Sequence, residues 1–150
     1  MNTLEISRVL KENVHTKHRF LGVFSCDTIP KHPIKDTCFV SNTDPQHLPG
    51  QHWVAFYVAS TGEVYYFDSF GLPPLSAEFL AFVERSAPFK WQRNRVQLQD
   101  TSADTCGPHC VHFLIEACRT RNPKKCVMRM SKIPKLSDRT VSQKLAMLML

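Results

Sequence analysis

The sequence predicts an α+β fold from three observations. Short apolar runs rich in β-branched and aromatic residues crowd the first half of the chain. Helical spacing of apolar residues marks its start and its centre, and a nearly continuous apolar stretch begins abruptly behind a polar loop at Cys106. With 150 residues, 43% hydrophobic and 10% aromatic, a chain of this size buries roughly 68–70% of its unfolded surface, enough for one core. A single domain over residues 1–150 is expected.

The elements follow in order. Asn2 or Thr3 caps an opening helix that runs to about Val14. Phe20–Phe24 and Thr37–Val40 read as strands, and Asp44–Gly50, with two prolines, as a surface loop. His52–Ala59 is too short and too β-branched for a typical helix and reads as a buried strand. Ser60-Thr61-Gly62 then turns the chain into a second strand, Glu63–Phe67, which Asp68 ends. Phe79, Leu80, Phe82 and Val83 sit at helical spacing behind Ser76, and Arg95–Gln99 alternates as a strand does. A last helix is expected from Ser137-Asp138 towards Leu148. No stretch approaches the ~20 apolar residues of a membrane span. Glu5 and Arg8 make the N-terminus unlike a secretory signal. Six cysteines without a disulfide-framework pattern fit a reducing compartment, and an intracellular location is expected.

The chemistry gathers around Cys106, in Asp104-Thr105-Cys106-Gly107-Pro108-His109-Cys110. A helix N-terminus stabilises thiolate and lowers a cysteine pKa from about 8.5 to as little as ~3.5–7.5. Asp104 or Thr105 is placed to cap that helix. A nucleophile needs a base, and the base needs a third group to orient it. His52 opens one strand of the hairpin and Asp68 closes the other, so antiparallel pairing brings them side by side. Gln99 is the candidate donor to an oxyanion, together with the Cys106 N–H, and Gln97, two residues away on the same strand face, is its rival. Singly, each residue has an ordinary explanation: a core thiol, a structural histidine, a turn aspartate, a surface glutamine. Their joint placement carries the argument.

His52-Trp53, Phe67-Asp68-Ser69-Phe70-Gly71, Gln99 with six residues before Cys106, and Cys106-Gly107-x-x-Cys110 together resemble the adenovirus protease family and, more distantly, the SUMO- and ubiquitin-like-protein-specific cysteine proteases. The resemblance runs from about Phe20 to Cys118. It implies a mixed β-sheet packed against helices, with the nucleophile at the start of a central buried helix. It implies a thiol endopeptidase with His52, Asp68, Cys106 and Gln99 as catalytic residues, Trp53 and Gly107 against a polypeptide substrate, and no cofactor needed for the chemistry. Viral precursor proteins are the expected substrates, with removal of ubiquitin-like modifiers as the alternative and the host nucleus or virion as the site of action. Adenovirus-type enzymes carry glutamate where this chain has Asp68, while the SUMO-protease branch carries aspartate. They also pair an activating peptide with a cysteine upstream of the oxyanion glutamine, and no cysteine lies between Gly71 and Gln99 here.

A metal site and a second cysteine nucleophile are the alternative chemistries. Cys106, Cys110, His109 and His112 lack a second Cys-x-x-Cys pair, so no metal site is expected. Cys26, in an order with cysteine before histidine, has no apolar helix behind it. The net charge of +6 concentrates between Arg119 and Lys135, where Arg119, Arg121, Lys124, Lys125, Arg129 and Lys132 occur without one acid. Such a patch suits non-specific, salt-dependent DNA binding, and the resemblance adds DNA or a peptide as candidate activators. A non-enzymatic DNA-binding virion protein is thus the competing class. The enzyme itself is expected to act as a monomer.

Overall fold

The computed structural model describes residues 1–86 and 90–150. Asn2 closes a capping box on helix α1 (Thr3–Glu12): its side chain accepts from the Glu5 N–H, and the Glu5 carboxylate accepts from the Asn2 N–H, both at 2.9 Å. These bonds satisfy two of the groups a helix leaves open at its start. Ile6, Val9 and Leu10, one helical face, are buried.

Strands β1 (Phe20–Phe24), β2 (Thr37–Asn42), β3 (Trp53–Val58), β4 (Val64–Phe67) and β5 (Trp91–Arg93) form one sheet in sequence order. The β2–β3 and β3–β4 pairs are antiparallel, whereas β1–β2 and β4–β5 are parallel, so the sheet is mixed. Gly62, at φ 89°, supplies the turn between β3 and β4. Side-chain alternation along β3 explains its continuous apolar run. Val54, Phe56 and Val58 face helix α2 (Ala77–Glu84), while Ala55 and Tyr57 face the opposite layer, so both faces are buried.

That opposite layer is built by α1, α3 (Cys106–Thr120), α4 (Pro123–Arg129) and α5 (Pro134–Leu148). Phe113 of α3 stacks on Phe67 with ring centroids 4.4 Å apart and planes within 6°, and lies 5.5 Å from Tyr65. This contact seats the central helix against the hairpin. Phe113→Ala is expected to cost about 3–5 kcal/mol of stability, read from urea unfolding; a loss under about 1 kcal/mol would refute the seating role.

Two sequence expectations change, and one element is new. Arg95–Gln99 is not a strand. Asn94 bonds both backbone groups of Asp68 through its side-chain amide, at 3.0 and 2.6 Å, in place of ladder bonds. Leu98 and Gln99 then both donate their N–H groups to the Ser69 carbonyl, at 2.8 and 3.0 Å. The basic stretch, to which the sequence assigns no element, carries a helix. Asn122 caps α4 through the Lys125 N–H, with Pro123 at its first position. Helix α5 begins at Pro134, before Ser137. Among the described residues, no helix is long and apolar enough to cross a membrane.

Candidate active site

Cys106 is the first residue of α3 and 5% exposed. Thr105 stands at the cap position without a side-chain capping bond, so the orphan N–H groups of the first turn stay uncapped. Neither Asp104 nor Thr105 therefore caps the helix as the sequence suggested.

His52 and Asp68 lie just outside the paired ends of β3 and β4. The last register pair is Ala55 with Phe67, and continuing it sets His52 opposite Phe70, with Asp68 on the diagonal. Phe70 stacks on the imidazole at 4.8 Å, and the ring reaches across to Asp68, His52 Nε2 lying 2.9 Å from Asp68 Oδ1. That oxygen also accepts the Phe70 N–H at 2.8 Å. With Nε2 engaged, Nδ1 is the nitrogen left for Cys106, whose thiol and the imidazole shift each other's pKa. Burial drives the imidazole pKa down, but hydrogen bonds to Asp68 and Cys106, with their charges, outweigh it and raise the pKa to about 9. Burial likewise pushes the Cys106 thiol up, and the His52 hydrogen bond, the Trp53 and Gly107 N–H groups and the imidazolium charge bring it below its ordinary value. Both directions favour a thiolate–imidazolium pair.

Gln99 is 2% exposed, and its amide orientation is set by two bonds. Oε1 accepts from Ser69 Oγ and Nε2 donates to the Ala103 carbonyl, each at 2.6 Å. One amide hydrogen remains free for an oxyanion. Gln97 is exposed and donates to the Gln99 carbonyl at 2.9 Å, so it supports Gln99 and does not rival it.

A cleft of about 650 Å³ opens at Cys106, walled by the start of α1, the end of β1 and the 42–51 loop. Trp53 lines it and donates its indole N–H to the Met1 carbonyl at 3.2 Å. Gly107 meets the Met1 side chain so closely that a Cβ there would lie 2.9 Å from Met1 Cβ. Of the two expected substrate contacts, Trp53 lines the cleft, whereas Gly107 is buried beneath Met1 beside the nucleophile.

The basic residues stand elsewhere, on the end of α3, on α4 and on the segment beyond it, and none lines this cleft. Arg119 pairs with Glu116 and Arg121 with Asp36. Cys110 is fully buried on α3, and burial pushes its thiol well up. No group of three or more metal-ligating side chains occurs among the described residues. Sequence reasoning missed Phe70, Asn94, Ser69 and Asp138. Phe70 had a local signal in its register position opposite His52. The other three act through contacts far apart in sequence.

No family model matches the chain. A protein of Acanthamoeba polyphaga mimivirus that carries the name of a thiol protease is 24% identical over 143 residues, covering 77% of this chain and 46% of its own length. The crystal structure of the ASFV pS273R protease superposes with a TM-score of 0.64 at 16% identity, over 91% of this chain and 63% of that one. The chain thus spans about half of the first and under two thirds of the second. The likeness shows the fold: the α+β architecture is shared with that protease, as the resemblance read from the sequence implied.

Proposed function

We propose that this chain is a cysteine endopeptidase acting through Cys106, His52 and Asp68, with Gln99 and the Cys106 N–H as its oxyanion donors. The observation that carries the reading is the 2.9 Å His52–Asp68 bond aimed at a thiol on a helix N-terminus. The Cys106 thiolate attacks the scissile carbonyl carbon, and the C=O electron pair moves to the oxygen, where Gln99 Nε2–H and the Cys106 N–H hold it. Collapse expels the amine, which takes its proton from His52. Water then loses a proton to His52 as its oxygen attacks the thioester, and collapse releases the acid and restores the thiolate–imidazolium pair. Asp68 keeps the ring oriented in both halves.

The test is intact-mass labelling with a peptide vinyl sulfone ending in Gly-Gly. One adduct, mapped to Cys106, is expected. No adduct, or one spread over other cysteines, would refute the assignment. Gln99→Ala is expected to lower kcat by about 10²–10³-fold while the labelled site stays Cys106; an unchanged kcat would remove Gln99 from the mechanism.

Viral precursor proteins are the proposed substrates, in the host nucleus or virion. The open cleft beside Cys106 and Trp53 also suits the tail of a ubiquitin-like modifier, and cleavage of a modifier conjugate in preference to a precursor peptide would favour that alternative. DNA is proposed as a modulator only. Lys124, Lys125, Arg129 and Lys132 are exposed and have no ion-pair partner among the described residues, which leaves them for phosphates. A labelling rate that rises with duplex DNA and loses that rise in salt is expected; a rate indifferent to DNA would refute it.

A further inference from the structure

Asp138, on α5, is 8% exposed, and its carboxylate gathers three donors. Oδ1 accepts from Thr105 Oγ1 at 2.6 Å and from His109 Nε2 at 2.9 Å, and Oδ2 accepts from the Asp100 N–H at 3.0 Å. Asp100 directly follows Gln99, and Thr105 directly precedes Cys106. We propose that Asp138, with His109 behind it, is the positioning residue that sets the spacing between the Gln99 amide and the Cys106 N–H; this rests on the protease reading above.

The other bonds of this segment stop short of Thr105: Gln99 Nε2 reaches the Ala103 carbonyl at 2.6 Å and no further along the chain. Asp100 turns its own side chain onto Ser102, and the Ala103 N–H bonds back to the Asp100 carbonyl, so the 100–103 turn is closed on itself. Among the described residues, Asp138 alone bonds both Asp100 and Thr105 from a separate element. Thr105 also spends its hydroxyl on Asp138 and not on capping α3. A capping oxygen would consume first-turn N–H groups that an oxyanion and a thiolate need. His109 is completely buried, and its Nδ1 is without a hydrogen-bond partner among the described residues. An apolar residue would avoid that orphaned atom, so the imidazole's use is its Nε2–H on Asp138.

Asp138→Asn puts an amide N–H against a donor now facing a carboxylate oxygen, which displaces one end of the turn. A misplacement near 1 Å costs about 10²-fold in rate. The expected result is a kcat lower by about that factor with KM held, and inhibition by a peptide aldehyde, whose adduct carries an oxyanion, weakened in parallel. The pH profile of iodoacetamide alkylation at Cys106, which forms no oxyanion, stays that of the wild type. If Asp138→Asn does not fold, Thr105→Val removes one donor alone, with kcat expected to fall about tenfold and alkylation unchanged. Unchanged kcat, or alkylation falling with it, overturns the proposal. A wild type that neither turns over nor labels overturns the protease reading and this one with it.

Discussion

Cys106→Ala is expected to fold to the same sheet and to cleave nothing. The side chain is at the edge of the core, not its keystone: it opens α3, while Phe113 and its neighbours further along hold the helix to the hairpin. On the proposed mechanism, removing the sulfur removes the atom that forms the acyl-enzyme, and neither His52 nor water beside it replaces a covalent route. Circular dichroism and a thermal melt establish the fold, and peptide hydrolysis followed by mass spectrometry establishes the loss. Residual turnover above about one part in 10³ of wild type would show that another group carries the reaction. With six cysteines, all free and all buried, the same variant tells whether any other thiol takes the probe.

Asp68→Asn is expected to reduce kcat by about 10²–10⁴-fold and to change the pH profile. On the proposed mechanism, the active form of the wild type is the thiolate–imidazolium pair. Activity therefore rises as Cys106 loses its proton, below the ordinary thiol range, and falls as His52 loses its own at about 9. Both limbs belong to the coupled pair and not to one residue. Asparagine keeps the size and accepts the Phe70 N–H, yet its neutral amide no longer supports a positive ring. The His52 pKa drops, so the alkaline limb shifts to lower pH, and the acid limb shifts up because the thiolate loses its counterion. The window narrows from both sides. A wild-type profile in Asp68→Asn would assign the orientation of His52 to some other residue.

The parts of this site that lie close in the chain were legible. His52 and Asp68 flank one hairpin, and period-two pairing is enough to join them, although the register places them diagonally and not face to face. Cys106 was legible because a polar loop meets an apolar helix there. The 95–99 segment misled, because Arg95-Val96-Gln97-Leu98-Gln99 alternates like a strand while Asn94 takes the backbone bonds a strand would need. A three-residue strand such as Trp91–Arg93 leaves too short a pattern to detect. Helix α4 hid behind its charges, although Asn122-Pro123 is a cap and first-turn pair. Asp138 could not be foreseen, since its three partners meet only once α5 has packed against the start of α3.

The Asn94 clamp has a consequence for how such a site diverges. It grips the main chain at position 68 through N–H and C=O and is indifferent to the side chain attached there. The path of the backbone and the identity of the acid are thereby inherited separately. A lineage can exchange aspartate for a longer carboxylate, retune the base and keep the same strand exit. What the strand exit depends on is the asparagine, whose side chain supplies both bonds to the main chain at position 68.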